Sequence, residues 1–335
     1  MRSATTTGTT TLLSSDDVLA VADWNLIVES LREAYASPAS EAMVPPRTMA
    51  RGEGAWLRSL TAASTSGDHI GAKLIMFSAE SARASYPLLL LDRRTAELVA
   101  LLDGHHITGL RTAATSALAA DTLARPGALR VGVIGSGFEA SNHVRALAAV
   151  RQLDSVAVYS PTPANRTAFA QAITDELGVQ AMPTESPRQA VAEVDLVICA
   201  ARSRDETPVI EGAWLEPGTT VVSIGSTLPE QREVDTVTLA RADVIVADVV
   251  EEVVGESGDF LAAEAAGVPA SAKVSALADV VGNRVSGRTS EDQIVLYKSV
   301  GSALQDIVVA ELVYRLATAR GLGRAVPLLV EPVKK

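Results

Sequence analysis

The chain has 335 residues, 47% of them hydrophobic and 4% aromatic, with a formal net charge of -11. That supplies a full core for one large or two medium domains. The acidity argues against a broad phosphate-binding surface, and the scarcity of aromatics against stacked-base reading, so no nucleic-acid partner is expected. Cys199 is the only cysteine, which excludes an intrachain disulfide and a multi-cysteine metal site. No His, Asp or Glu cluster has metal-ligand spacing, so no metal is expected.

The N-terminal stretch MRSATTTGTTTLLSS lacks the apolar segment of a signal peptide, and residues 1 to about 10 read as a frayed tail. No run approaches the roughly 20 apolar residues of a membrane span. A cytoplasmic protein without a membrane partner is expected. Ser14-Ser15-Asp16-Asp17 reads as a helix N-cap, and VLAVADWNLIVESLREAYA after it has helical period. Pro45-Pro46 breaks the chain. Short apolar runs then alternate with turn residues to Val99 (WLRSL, IGAKLIMF, YPLLLLD, ELVALLD), predicting a mainly antiparallel sheet. Leu88 to Leu91 reads as a buried strand rather than a membrane segment. His105-His106 reads as a strand-to-helix connector. HHITGLRTAATSALAADTLA predicts a closely packed helix of small residues, ended by Arg125-Pro126-Gly127.

From Leu129 the texture changes. LRVGVIG, SVAVYS, DLVICAA, TTVVSIG and DVIVADV alternate with helical stretches or loops, the signature of a doubly wound parallel sheet and an α/β fold class. A last long helix is expected from about Asp292 to Ala319, with Ser290 as its N-cap.

Gly135-Ser136-Gly137-Phe138-Glu139-Ala140 follows the first of these strands and opens a helix. The first glycine allows a tight turn, the second lets a pyrophosphate approach the backbone, and Ala140 permits close helix–sheet packing. Free N–H groups at the helix start then face the phosphates. A dinucleotide cofactor is expected. The second strand ends Tyr159-Ser160-Pro161-Thr162, with Asn165 and Arg166 close behind and no carboxylate at its tip. Hydroxyls and an arginine suit a 2′-phosphate, so NADP is favoured and NAD kept as the alternative. Ala200 and Ala201, closing the DLVICAA strand, are expected beneath the cofactor, with Gly225 after the TTVVSIG strand.

Four segments in order resemble the ornithine cyclodeaminase / mu-crystallin family: PPRT at Pro45 to Thr48, GAKLIMF at Gly71 to Phe77, GLRTAATSALAADTLARP from Gly109, and GRTSEDQIVLYKSVGSALQD from Gly287. The resemblance runs from about Leu12 to Leu316. It implies a Rossmann domain, residues 126–301, inserted into an α+β substrate-binding and dimerisation domain, residues 1–125 and 302–335, in a homodimer. It also implies NAD(P) chemistry on small α-amino or α-imino acids. Arg47, Lys73 and Arg111 are the expected cations for a substrate carboxylate, with Arg58 as a fourth contact. The residue chemistry agrees: Lys73 interrupts an apolar strand and Arg111 lies among small residues, where cations cost free energy unless they are used. Ser299 matches the family's serine near the nicotinamide.

The chain departs from the family's cyclodeaminases at Ser223-Ile224-Gly225-Ser226-Thr227-Leu228-Pro229-Glu230. Thr227 stands where those members carry an aspartate, and a hydroxyl is no general base near neutral pH. Glu230 or Glu233 remains available as a substitute. The resemblance therefore favours an NAD(P)H-dependent reductase of small carboxylate-bearing imines. Lys73 and Thr227 are its expected catalytic groups, and Ser226 a substrate contact. The alternatives are an amino-acid or opine-type dehydrogenase, an ornithine or lysine cyclodeaminase, and a non-catalytic NADP-dependent binder of small ligands.

Overall fold

A computed structural model describes residues 8–201 and 207–334. The chain divides into two compact units, residues 1–111 with 302–335 and residues 112–301.

The first unit begins with strand β1 (Thr9–Leu13), so Thr9 and Thr10 belong to the sheet and not to a tail. Thr10 is buried, and its hydroxyl donates to the Leu98 carbonyl at 2.7 Å, which draws this threonine-rich segment into order. Helix α1 (Ser15–Val21) starts at a capping box between Ser14 and Asp17. The expected single helix is then broken. Asp23 caps a second one, α2 (Trp24–Ala36), by accepting from the Leu26 amide at 3.0 Å. Strands β2 (Thr48–Gly52), β3 (Ala55–Ala63), β4 (His69–Ser78), β5 (Arg83–Ser85), β6 (Pro87–Asp92) and β7 (Leu98–Asp103) follow. Helix α3 (Gly104–Leu123) begins directly after β7, so His105 and His106 form its first turn and Arg111 lies about two turns in. The boundary between the two units falls within this helix.

The second unit alternates strand and helix: β8 (Leu129–Ile134), α4 (Phe138–Val150), β9 (Leu153–Tyr159), α5 (Pro163–Leu177), β10 (Ala181–Pro183), α6 (Pro187–Ala190), β11 (Leu196–Cys199) and β12 (Thr220–Ser223). After these come α7 (Thr236–Arg241), β13 (Val244–Ala247), α8 (Val250–Glu256), α9 (Gly258–Ala265), β14 (Val274–Ala276), α10 (Leu277–Val281) and β15 (Val295–Lys298). All eight strands pair in parallel, in the order β10-β9-β8-β11-β12-β15-β13-β14. The five expected strands are present, and β10, β14 and β15 join them. β15 corrects the expected last helix. Val295 to Lys298 is wholly buried between β12 and β13, and a strand buried on both faces shows no alternation to betray it. The helix, α11 (Ala303–Ala319), starts later, capped by Ser302 rather than Ser290.

Helix α11 and the final strand β16 (Arg324–Pro327) return to the first unit. Its sheet runs β16-β1-β7-β6-β4-β3-β2, with β5 on β4, and is antiparallel apart from the β1–β7 pair. One face packs beneath α11. Gly71 makes the approach close, because a Cβ there would strike the Leu89 carbonyl and the Ile307 side chain. Leu60, Lys73, Leu88 and Leu90 share this buried face. The other face keeps Leu57, Ile70 and Met76 exposed. Glu311 of α11 also fastens the β3–β4 turn, accepting from the Ser64 hydroxyl at 2.8 Å and the Asp68 amide at 2.9 Å. No helix among the described residues is long and apolar enough to cross a membrane.

Candidate active site

In the first unit two of the expected cations, Lys73 and Arg111, share one carboxylate. Lys73 points from β4 to the face beneath α11, because it pairs with Leu60 on one side and Leu88 on the other. Its Nζ lies 2.7 Å from Asp306 Oδ1 and donates to Thr108 Oγ1 at 3.4 Å. Arg111 Nε lies 3.1 Å from the same Asp306 oxygen. Arg111 also donates to Gln305 Oε1 at 2.7 Å, and Gln305 in turn donates to the Tyr35 hydroxyl at 2.8 Å. Lys73 and Asp306 side chains are both 0% exposed. Burial pushes the Lys73 ammonium down from 10.5 to about 8; Asp306 opposes that shift, and the Arg111 and Arg58 charges add to it.

Arg58 faces the same side as Lys73, two residues along β3 from Leu60, and its guanidinium sits 5.5 Å from the Trp56 ring centre. Arg47 is half-buried just ahead of β2. Extending the register by one step sets it beside Leu60, the partner of Lys73. Asp306, Gln305 and Tyr35 were not expected. The available signal was the polar pair Gln305-Asp306 inside the otherwise apolar run ALQDIVVAELV.

The second unit presents the glycine loop at the point where strand order reverses about β8. Gly135 has φ +115°, and a Cβ there would lie 2.7 Å from the Ala200 carbonyl, so the turn against β11 requires glycine. At Gly137 an added Cβ would meet nothing within 4 Å, leaving open space above the loop. Gly137 caps α4 without a side-chain bond, Phe138 and Glu139 form the first turn, and Ala140 is fully buried. Ser136 donates to Ser160 Oγ at 2.8 Å, joining the loop to the end of β9. Thr162 caps α5, and Asn165 is exposed on it. Arg166 is buried; it donates to the Ser160 carbonyl at 3.1 Å and pairs with Glu185 at 2.7 Å. Such a loop, at a helix N-terminus and with open space over its second glycine, fits a dinucleotide.

Ala200 and Ala201 follow β11 at the carboxyl end of the sheet, as does Gly225 after β12. A second buried charge network lies beneath Gly225. Glu233 accepts from the Gly225 amide at 2.8 Å and the Ser223 hydroxyl at 2.6 Å, while Lys298 lies 2.7 Å from Asp259 and donates to Ser223 Oγ at 2.9 Å. Burial raises the Glu233 carboxyl from 4.5 to about 7. Glu233 therefore supports the loop from below, and Glu230 is exposed. Ser226 corrects an expectation: it is fully buried and spends its hydroxyl on the Gln231 carbonyl at 2.5 Å, closing the turn. Thr227 is half-buried, held through its amide by Gln231 Oε1 at 3.1 Å. Ser299 is buried and donates to Asp248 at 2.6 Å; Asp248 also accepts from the Gly301 amide. Among the described residues no group of three or more His, Cys, Asp or Glu could hold a metal ion.

Residues 9–321 match the ornithine cyclodeaminase/mu-crystallin family. The chain belongs to that family. A Delta(1)-pyrroline-2-carboxylate reductase from Bacillus cereus is 32% identical over 240 residues, covering 71% of this chain and 73% of its own. The ketimine reductase mu-crystallin of Mus musculus is 29% identical over 307 residues, covering 87% and 91%. The solved structure of the Thermococcus litoralis Delta(1)-pyrroline-2-carboxylate reductase, in complex with NADH and L-proline, is similar with a TM-score of 0.86 and 29% identity, covering 94% of this chain and all of that one. The architecture of a Rossmann-like parallel sheet with a second α+β unit is thus similar to that of this reductase.

Proposed function

We propose that the chain is an NAD(P)H-dependent reductase of small carboxylate-bearing imines, converting ketimines or cyclic imino acids to amino acids. The observation that carries this reading is the charge balance around Lys73. Two guanidinium groups, Arg111 and Arg58, and one carboxylate, Asp306, act on its ammonium. A substrate carboxylate is the anion that such a gathering of cations suits. Arg47, half-buried ahead of β2, is the remaining cation assigned to that carboxylate. An arginine grips a carboxylate through parallel N–H bonds, and a lysine adds a point charge.

When bound, the nicotinamide supplies the hydride. The chain's own residues do the rest. An ammonium has three N–H donors; Asp306 and Thr108 take two of those on Lys73. Lys73 is the acid assigned to the imine nitrogen, and a pKa of about 8 keeps it charged yet able to release its proton near neutrality. Gly225, Ala200 and Ala201 would hold the nicotinamide half, and the Gly135–Ala140 loop would hold the pyrophosphate. Ser160, Thr162, Asn165 and Arg166 favour NADPH over NADH at the adenosine ribose.

Purified protein, offered NADPH or NADH with pyrroline-2-carboxylate or piperideine-2-carboxylate, should consume the reduced cofactor, faster with NADPH. Turnover only with keto acids plus amines would move the assignment to an opine-type dehydrogenase. Release of proline from ornithine would move it to cyclodeamination. Cofactor binding without turnover on any of them would sink the reductase reading.

The exposed sheet face of the first unit supports a homodimer. Leu57, Ile70 and Met76 are 38%, 44% and 39% exposed, on one face of neighbouring strands, with half-buried Leu74, Leu89 and Leu91 beside them. An apolar face of this extent marks an association surface. Ile70→Glu should convert the dimer into a monomer in sedimentation equilibrium. A wild-type chain that sediments as a monomer would remove this assignment.

A further inference from the structure

The tip of β9 lacks a carboxylate in the sequence, yet the fold delivers one. The edge strand β10 runs parallel to β9, with Pro183 opposite Val158. Two further residues along the same register set Glu185 beside Ser160. Its backbone is fixed there. The Thr184 amide and hydroxyl both donate to the Val158 carbonyl, at 2.8 and 3.2 Å, and the Glu185 amide donates to Gln189 Oε1 at 2.9 Å. From this position the Glu185 carboxylate meets Arg166 Nη2 at 2.7 Å.

The two partners differ in setting. The Arg166 side chain is 7% exposed and that of Glu185 81%. Arg166 is held in place without its carboxylate. Nη1 donates to the Ser160 carbonyl at 3.1 Å, and the guanidinium lies 5.7 Å from the Tyr159 ring centre. Glu185 is thus a displaceable counter-ion on a pre-positioned arginine, beside the strand end where a dinucleotide's adenosine ribose is read.

We propose that Glu185 is the residue that sets the balance between NADPH and NADH. The inference rests on the dinucleotide reading of the Gly135–Ala140 loop. A 2′-phosphate brings up to two negative charges to Arg166 and must displace the carboxylate, with which it also repels. A ribose bearing a 2′-hydroxyl leaves the ion pair intact and donates to the same carboxylate. Glu185 therefore weakens the preference that Arg166 creates and keeps NADH usable. The selector sits two residues past the neighbouring strand β10, 19 residues beyond the arginine it masks.

Equilibrium titration of the full-length protein with NADPH and with NADH, without substrate, tests this. Reduced-nicotinamide fluorescence gives the two dissociation constants. Glu185→Gln should raise the ratio of NADPH to NADH affinity about tenfold, the scale of one like-charge contact near the surface. Glu185→Lys should raise it further, and Arg166→Met should lower it below the wild-type value. If the wild type binds both cofactors and neither Glu185 variant moves the ratio, Glu185 is a surface ion pair only and the selector falls. If the wild type binds neither cofactor, the dinucleotide reading falls, and the selector with it.

Discussion

Lys73→Met should lower kcat/KM for imine reduction by about a thousandfold, within the range that a positioned proton donor contributes. The wild-type enzyme carries a second signature of the same group. Burial sets the Lys73 ammonium at about 8, so the acid form prevails below that pH and is lost above it. Plotted against pH, kcat/KM should be level toward neutrality and fall as pH rises through about 8. In Lys73→Met that alkaline fall should vanish, because the group that titrates is gone. A variant that keeps both the rate and the alkaline limb would show that the proton comes from elsewhere.

Asp306→Asn should cost about 3–5 kcal/mol of unfolding free energy, the usual penalty for removing one member of a buried ion pair. Here one carboxylate serves two cations, at 2.7 Å from Lys73 and 3.1 Å from Arg111, so its loss leaves two buried positive charges facing each other. Lys73→Met should cost less, because Asp306 keeps Arg111 as its partner. Denaturant unfolding of the three proteins, followed by circular dichroism, reads the order directly. Equal midpoints for Asp306→Asn and wild type would refute the view that this carboxylate holds the cluster together.

Much of the architecture was readable from spacing alone. The glycine loop follows an apolar strand and opens a helix, and the valine-rich runs after it recur at the interval of strand–helix units. These patterns reflect backbone geometry, which local sequence expresses well. Elements were misjudged where a tertiary environment decided them. Val295 to Lys298 looks like helix because both its faces are buried. Helices α1 and α2 look continuous because the apolar period runs through Asp23, whose side chain instead caps a new start. In the site, Lys73 and Arg111 stood out as cations in apolar or small-residue settings. Their shared counter-charge did not, because Asp306 lies 233 residues from Lys73 along the chain. Glu185 escaped for the same reason: the carboxylate was sought at the tip of β9 and arrives from just past the adjacent strand. Ser226 matched a motif, but its hydroxyl closes the turn that the motif describes.

The first unit's sheet is built from both ends of the chain: β1 pairs with β7 on one side and with β16 on the other, and α11 covers its buried face. During synthesis from the ribosome, the early strands emerge long before residues 302–327 exist to seal them. The inserted unit, residues 112–301, has all its contacting segments available first and is able to condense in the interval. Until α11 follows, Lys73 has no Asp306 to neutralise it, so premature collapse of the β4 face onto itself would bury a bare ammonium. Docking of α11, which brings Asp306 to Lys73, is thus expected among the last events of folding.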